Sequence, residues 1–451
     1  MSAVKAEHYA AYTDSGVEWL GEVPKHWSFV RVKEIAYINQ KSLSDETPLD
    51  YEFDYVDIGS VTYGTSGYSS ERMTFENAPS RAKRIVKSGD TIISTVRTYL
   101  KAITQIDCAE NLIVSTGFAV LTPKKIIYKS YFSNWLMSET FINRVSAISK
   151  GVSYPATNST EIGDLFVFLP PLLEQTSIAA YLDTKTAQID RQIDLLSQKA
   201  TQYGKLKQSL INETVTRGLD KAVPMKDSGV ICIGLIPRHW KKLRLKDLGT
   251  IETSSIDKKT IENEKLVKLV NYSDIYGNLK KEIFNQVGYM IVSANAKQIK
   301  DKNLNQGDVL FTPSSETYED IGVSSVVMEN LIDTLYSYHI LRLRFHKKIE
   351  LNFKKYLFNN NYVQTYFSQS AKGTTRKILG LTQFNNLELV FPPAYKEQKE
   401  IAAYLDHKTT QIDRIINVIG SQIDKLKDLR KALINDVVTG KIKVVSGGIA
   451  V

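Results

Sequence analysis

PPLLEQTSIAAYLDTKTAQIDRQID at residues 170–194 returns as PPAYKEQKEIAAYLDHKTTQIDRIIN at residues 392–417, and from Glu174 and Glu397 onward the copies keep a constant offset of 223. The double proline ends the preceding extended segment in each copy and leaves a helix free to begin just after it. Neither copy meets another proline before a matching end, LINETVT at 210–216 and LINDVVT at 433–439. Each is therefore expected as one helix, from Pro170 to Gly218 in the first copy. About 45 residues at 1.5 Å per residue gives about 65 to 70 Å, far beyond the usual three turns of a globular helix.

The apolar spacing explains how such helices would be held. Ile189, Ile193, Leu196, Ala200, Tyr203, Leu206 and Leu210 are separated by four, three, four, three, three and four residues, and Ile412, Ile416, Ile419, Ile423, Leu426, Leu429 and Leu433 repeat that series. This is a coiled-coil seam with one stammer at the same place in both copies. The flanking positions are mostly Lys, Asp, Gln and Ser, so the apolar stripe is narrow and suits a helix partner better than a globular surface.

Upstream of each helix, DSGVEWLGEVPKHW at 14–27 returns as DSGVICIGLIPRHW at 227–240, so the duplication covers nearly the whole chain. The expected order is a leader at 1–13, a first domain at 14–169, a helix segment at 170–222, a second domain at 223–391, a second helix segment at 392–440 and a tail at 441–451. Trp27 and Trp240 are expected as core anchors. His26 and His239 stand without Asp, Glu or Cys at ligand spacing, which favours a structural role over a metal or catalytic one. Each domain then shows apolar and alternating stretches that predict strands: YVDIGSV at 55–61 and KLVNYSDI at 268–275, SGDTIISTVRTYL at 88–100 and QGDVLFTPSSETY at 306–318, IVSTGFAVLTP at 113–123 and TLYSYHILRLRF at 334–345. Helical spacing follows at 128–148 and 351–371, then a Lys-Gly step at Lys150 and Lys372, a polar loop and a last strand entering the double proline. Each domain is a mixed α+β unit of about 150 residues, within the usual range. After the Lys-Gly step the copies diverge, GVSYPATN against GTTRKILG; loops on a shared scaffold are where binding specificity usually sits.

At 451 residues the chain is too long for one ordinary core. A net charge of +9 favours a polyanionic partner. The two cysteines, Cys108 and Cys232, fall at unrelated places in the repeat, so neither a disulfide framework nor a zinc site is indicated. No run of about 18 apolar residues suggests a membrane span and the first residues lack the apolar core of a signal peptide, so a cytoplasmic protein is expected. Phosphate-cradling GxxxxGK[ST], GxSxG, HExxH and Gly-rich cofactor motifs are absent. The double prolines follow Leu169 and Phe391 and precede Leu172 and Ala394, so they do not supply the polar side chain of an amino-methyltransferase motif. A binding protein without catalytic or metal-ligating residues is expected.

The repeated PPxxEQxxIAxYLDxxxxQID helix, after two divergent domains that open on a VPxHW or IPxHW unit and close through a Lys-Gly loop, resembles the DNA specificity subunit of type I restriction-modification systems. The resemblance spans almost the full chain. It implies two target recognition domains on an antiparallel spacer of two long helices, docked by two modification subunits that methylate adenine N6 with S-adenosylmethionine, and joined for host defence by restriction subunits that use ATP and Mg for translocation and cleavage. No cofactor is implied on this chain itself. Two non-identical readers predict an asymmetric bipartite target.

The resemblance places DNA contacts at Ser94, Thr95, Arg97, Tyr99, Lys101, Lys150, Ser153 and Tyr154 in the first domain. In the second it places them at Ser314, Ser315, Glu316, Tyr318, Lys372, Thr374, Thr375, Arg376 and Lys377. Arg97 and Arg376 suit bidentate bonding to guanine O6 and N7; the lysines suit phosphate, which positions without reading sequence. Pro155 stands where the second loop has Lys377, and Glu316 interrupts the basic series. Glu174, Gln175, Tyr181 and Asp183, with Glu397, Gln398, Tyr404 and Asp406, are shared by both copies and are expected to bind the same partner twice. The competing readings are a specificity subunit whose partner fuses methylation with cleavage, a self-contained enzyme with an unrecognised site, and a coiled-coil protein that bridges DNA without sequence preference.

Overall fold

The chain, analysed as a computed structural model, is described here over residues 8–16, 21–61, 67–230 and 232–444. Residues 1–7 of the expected leader, 17–20 of the first repeated motif and 445–451 of the expected tail lie outside the described residues. The two long helices run Leu172–Arg217 and Tyr395–Val438. Pro170-Pro171 and Pro392-Pro393 precede them, and glycines at positive φ, Gly218 and Gly440, follow their last turns. The proline-start, glycine-stop asymmetry is thus observed at both.

The stammer is not observed. Leu206 and Leu429, placed in the seam by spacing, are each 54% exposed. The partly or fully buried stripe runs instead through Ile189, Ile193, Leu196, Ala200, Tyr203, Lys207 and Leu210, and through Ile412, Ile416, Ile419, Ile423, Leu426, Arg430 and Leu433. That is a regular alternation of four and three, with a cation at one seam position in each helix. Lys207 Nζ donates to Asp413 at 2.7 Å, and Arg430 Nε donates to Asp190 at 2.9 Å. The repeat offset carries Lys207 to Arg430 and Asp190 to Asp413, so the same antiparallel pair forms twice. A buried charge in a seam is satisfied only where its partner lies, which fixes register.

The molecule divides into two units, residues 1–198 with 419–451, and residues 199–418. Each unit therefore holds one domain, the start of that domain's helix and the end of the other. Domain boundaries at the double prolines describe the sequence repeat, while the packed units cut both helices near their middles.

In the first unit, one four-stranded sheet runs Ala36–Ile38, Phe118–Pro123, Thr91–Ser94, Ile103–Gln105. The other runs Glu71–Thr74, Glu52–Val56, Leu112–Ser115, Ala82–Ile85, with its central pair parallel. In the second unit, a five-stranded sheet runs Gly249–Thr253, Leu341–Phe345, Val309–Phe311, Ser324–Val327, Glu282–Ile283. Beside it lies Met290–Ala294, Lys265–Val270, Leu331–Tyr336, Asn303–Leu304, again with a parallel central pair. The expected strand stretches at 55–61 and 268–275 stop short: after Val56 and Val270 the chain turns into the helical segments Ile58–Ser60 and Tyr272–Tyr276, the latter held at its start by Asn271 N donating to Asp274 Oδ2 at 2.7 Å. The stretches at 128–148 and 351–371 each break into two helices. Ser138 and Asn360 cap the second helix through Phe141 N and Val363 N, because a side chain that accepts from the N3 amide starts a new helix.

The sheets pack on those helices and on the long ones. Trp135, Phe132 and Phe168 in the first unit join Ile178 and Leu182 at one helix start and Ile434 and Val437 at the other helix end. Phe311, Phe353 and Phe367 in the second join Ile401 and Leu405 with Ile211 and Val215. The expected motif around each tryptophan is a two-stranded hairpin, Tyr12–Asp14 with Glu22–Pro24 and Met225–Asp227 with Leu235–Pro237.

Candidate nucleic-acid interface

The two loops singled out in each domain are brought together by backbone pairing. In the first domain, Lys150 and Ala156 exchange both amide bonds at 2.8 and 2.9 Å, closing a hairpin on Gly151, whose φ is +106°. Val96 bridges to Ala156, and Thr98 N donates to Pro155 O at 3.3 Å, so the 94–101 loop lies along that hairpin. In the second domain, Lys372 and Ile378 exchange amide bonds at 3.0 and 2.8 Å around Gly373 at φ +116°, and Ser314–Ser315 pairs antiparallel with Lys377–Ile378. Both domains thus build one device: a glycine-hinged hairpin docked on the loop that follows the Gly-Asp strand. The Gly-Asp turns beneath are built alike, with φ +89° at Gly89 and at Gly307 and a buried carboxylate behind each. Asp90 accepts from Thr122, and Asp308 takes a bidentate Arg344 at 2.6 and 2.9 Å. Burial pushes the Asp90 carboxyl up from its ordinary value, against bonds from Thr122 and the Lys87 amide.

The side chains on this frame differ. In the first domain, Arg97 adopts left-handed backbone geometry and stacks its guanidinium over the Tyr154 ring, 5.4 Å from the centroid. Tyr99, Lys150, Ser153 and Tyr154 are exposed and Lys101 is half-buried. Ser94 and Thr95 are corrected: both are buried, with Ser94 Oγ donating to Val96 O and Thr95 Oγ1 to Gly117 O at 2.9 Å, so their hydroxyls shape the loop. In the second domain, Lys372, Thr374, Thr375 and Arg376 are exposed. Arg376 Nε donates to Ser314 Oγ at 3.3 Å, and Lys377 Nζ lies 4.5 Å from the Tyr318 centroid while donating to Gly373 O at 3.1 Å. Ser315 is buried and bonded to Asp320, a second correction of the same kind.

Sequence reasoning missed four side chains around Arg376. Tyr272 and Tyr276 stack 5.4 Å apart on one helical turn, Tyr276 OH bonds Asp320, and His339 lies close enough to Arg376 and Lys258 to respond to their charge. Burial first, and then those two cations, hold the His339 imidazole below its ordinary value. Tyr272 is raised by burial despite bonding to Ser315 and the positive charge of Arg376. The sequence signal was only an unusual YSDIY placed after a strand.

Of the shared residues at the helix starts, Gln175 and Gln398 are buried, which corrects their expectation as partner contacts; the other six are part-buried or exposed, and several of them also fasten the domains. Glu174 accepts from His26 Nε2 at 2.8 Å and Trp27 Nε1 at 3.1 Å, and Glu397 accepts from His239 Nε2 at 2.9 Å and Trp240 Nε1 at 2.8 Å. Gln175 and Gln398 are buried, accepting from Tyr128 N and Glu350 N and donating to Pro170 O and Pro392 O. Asp406 binds Tyr356 OH at 2.7 Å and Lys355 Nζ at 2.6 Å. Burial alone would lower the Lys355 pKa, but Asp406 and Glu282 outweigh it and raise it. Asp183 is exposed, and Tyr181 and Tyr404 are half-buried beneath Lys185 and Lys408. The matching helix ends have a structural cause too: Asn212 accepts from Asn361 N at 2.8 Å and Asn435 from Thr140 N at 3.0 Å, capping a domain helix in each unit.

Among the described residues, no cluster of three or more His, Cys, Asp or Glu is placed to hold a metal, and no helix is long and apolar enough to cross a membrane. The fold is shared with solved structures. One, from a study of complex assembly and conformational transition of the type I R-M system, superposes with a TM-score of 0.69 at 21% identity, over 92% of this chain and 98% of that one. The HsdS subunit from Thermoanaerobacter tengcongensis superposes with a TM-score of 0.50 at 21% identity, over 93% and 98%. In sequence, the chain is 25% identical to the MjaVIII specificity subunit of Methanocaldococcus jannaschii over 94% of each, and 21% identical to the EcoKI specificity subunit of Escherichia coli over 72% of this chain and 68% of that one. The family described as the type I restriction modification DNA specificity domain matches residues 24–201 and again 237–425. Two matches that together span most of the chain, one on each repeat, place it plainly in the type I restriction-modification DNA specificity family.

Proposed function

We propose that this chain is the DNA-recognition subunit of a type I restriction-modification complex, binding an asymmetric bipartite duplex target and directing partner subunits to methylate adenine N6 or to cleave. The observation that carries this reading is the repeated hairpin-and-loop device bearing different side chains in its two copies. One device built twice implies one task; different readers imply different half-sites. Exposed Arg97 with Tyr154, and Arg376 with its tyrosines, supply guanidinium forks and aromatic faces suited to base edges. Lys150 and Lys372 at the hairpin bases suit phosphate. If both readers approach one face of B-DNA, the half-site centres lie about 34 to 36 Å apart, one helical turn.

The chain itself performs no bond chemistry in this reading. S-adenosylmethionine belongs to two modification subunits, and ATP and Mg to restriction subunits, all in the cytoplasm. Exposed Asp183, half-buried Tyr181 and Tyr404 and the neighbouring lysines form the surface offered to the modification subunits.

The test maps N6-methyladenine in a host carrying this gene and its neighbouring methyltransferase, and repeats the map after deleting this gene. A split asymmetric motif that disappears supports the proposal. An unchanged map refutes it. A DNA-bridging protein without preference predicts uniform affinity, whereas recognition predicts about 1 to 3 kcal/mol lost per mismatched base pair.

A further inference from the structure

We propose that Asp320 is a positioning residue for the second half-site, an internal peg that fixes the reading loop at 314–320 against Tyr276 and so sets which bases the second domain accepts. This rests on the recognition role proposed above. Three hydroxyls from two separate segments converge on this one carboxylate: Ser315 Oγ and Thr317 Oγ1, the latter at 2.6 Å, on one oxygen, and Tyr276 OH on the other. An acidic group on a DNA-facing surface repels phosphate, so its presence there needs a cause. Three of its roughly four accepting sites are taken up within the protein, which leaves it less suited to accept from a cytosine amino group. Burial raises the Asp320 carboxyl, yet the bonds from Ser315, Thr317 and Tyr276 outweigh that and hold it below its ordinary value, so it stays charged and the three donors stay bound.

The peg links every element of the reading surface. Ser315 sits in the strand pair with Lys377, and its neighbour Ser314 receives Arg376. Beyond Thr317, Tyr318 OH donates to Gly373 O at 3.4 Å at the hairpin hinge. Tyr276 stacks on Tyr272, so fixing its hydroxyl orients a two-ring face beside the Arg376 guanidinium. Among the described residues this arrangement is found in the second domain. Strand pairing joins Ile93 to Ile103 in the first and Phe311 to Ser324 in the second, 10 steps against 13, so the second loop has three extra residues.

The experiment uses the full chain with its modification subunits and the target given by the methylation map. Binding is measured by competition on two duplex libraries, one randomised over the first half-site and one over the second. For Asp320→Ala, discrimination among second half-sites is expected to fall at least tenfold, with first half-site discrimination and the salt dependence of binding unchanged. Tyr276→Phe, which removes one hydroxyl without opening a cavity, is expected to give a smaller loss, about threefold, at the same half-site. Equal loss at both half-sites in the two variants would mean general destabilisation and overturn the proposal, as would unaltered discrimination in Asp320→Ala. If the unmodified complex discriminates at neither half-site, the recognition reading fails, and the peg with it.

Discussion

Replacing Glu397 by alanine separates a fastening role from a partner-binding role for the glutamates shared by both repeats. Trp240 is 1% exposed, and its indole N–H has Glu397 as acceptor at 2.8 Å. A hydrogen bond to a charged group contributes about 1.5 to 3 kcal/mol, and removing the acceptor leaves the buried donor stranded. The His239 contact adds at most about 1 kcal/mol, since that side chain is half exposed and water screens the pair. Glu397→Ala should therefore cost about 2 to 3 kcal/mol. In a unit of about 150 to 250 residues each kcal/mol lowers Tm by about 2 to 4 °C, so a drop of about 4 to 12 °C is expected. Glu174→Ala should fall at the lower end, because the Trp27 bond is longer, 3.1 Å, and that ring is more exposed. The assay is thermal denaturation of the isolated chain, with hydrogen exchange assigning the loss to residues 199–418 for Glu397→Ala. An unchanged Tm together with lost binding of modification subunits would refute the fastening role and restore the partner surface.

Three further outcomes are expected. Arg430→Leu combined with Asp190→Ala replaces the ion pair by apolar side chains and should leave thermal stability equal or higher, as replacing a buried ion pair often does, while Arg430→Ala, which leaves Asp190 unpaired, should cost about 1 to 2 kcal/mol and Lys207→Ala, whose pair is more exposed, about 0.5; denaturation of the three variants ranks them. Lys354 is buried, which brings its pKa down to about 8 from 10.5. The folded chain then binds fewer protons than the unfolded chain between those values, so this group costs up to about 3 kcal/mol below pH 8, and stability rises as pH climbs through the window; Lys354→Met should abolish that rise between neutral pH and about pH 10 in thermal scans. Gly373→Ala places a Cβ 2.1 Å from Arg376 O, whereas Gly151→Ala meets Tyr154 O at 3.2 Å; both positions have positive φ, so both are strained, but only the first must shift Arg376, and if Arg376 reads bases as proposed, second half-site discrimination should fall several-fold more than first.

The long helices were legible because proline, glycine and repeated apolar spacing are local signals, and the structure ends them within a few residues of the expected places. The seam was legible only in part. Leu206 fits an apolar pattern as well as Lys207 breaks it, and what decides between them is Asp413 on the partner helix, about two hundred residues away. The same cause hid the role of the shared glutamates: Glu174 and Glu397 are conspicuous in the repeat, but their acceptor duty lies toward Trp27 and Trp240, whose side chains no helical periodicity brings near. In the loops, the Lys-Gly step marked both hairpins correctly. Which hydroxyls face out was not legible, since Ser94, Thr95 and Ser315 carry the same groups as exposed Ser153, Thr374 and Thr375 and have the opposite burial.

These misplacements share a direction that bears on how the molecule is specified. The residues kept in both copies, Glu174 and Glu397, Gln175 and Gln398, Asn212 and Asn435, all satisfy backbone or indole groups where a domain meets the long helices. The residues that differ, Arg97 and Tyr154 against Arg376, Tyr276 and Asp320, stand on loops whose backbone closure is the same in both domains. Fastening needs one solution wherever a mixed sheet must sit on a paired helix, because an unpaired buried donor costs about 1 to 3 kcal/mol whatever the DNA sequence. Recognition of unlike half-sites, as proposed above, needs two solutions, since equal side chains in both domains would accept equal half-sites. The internal repeat with divergent loops is thus the arrangement expected of a single chain that fastens two domains in one way and keeps their proposed targets distinct.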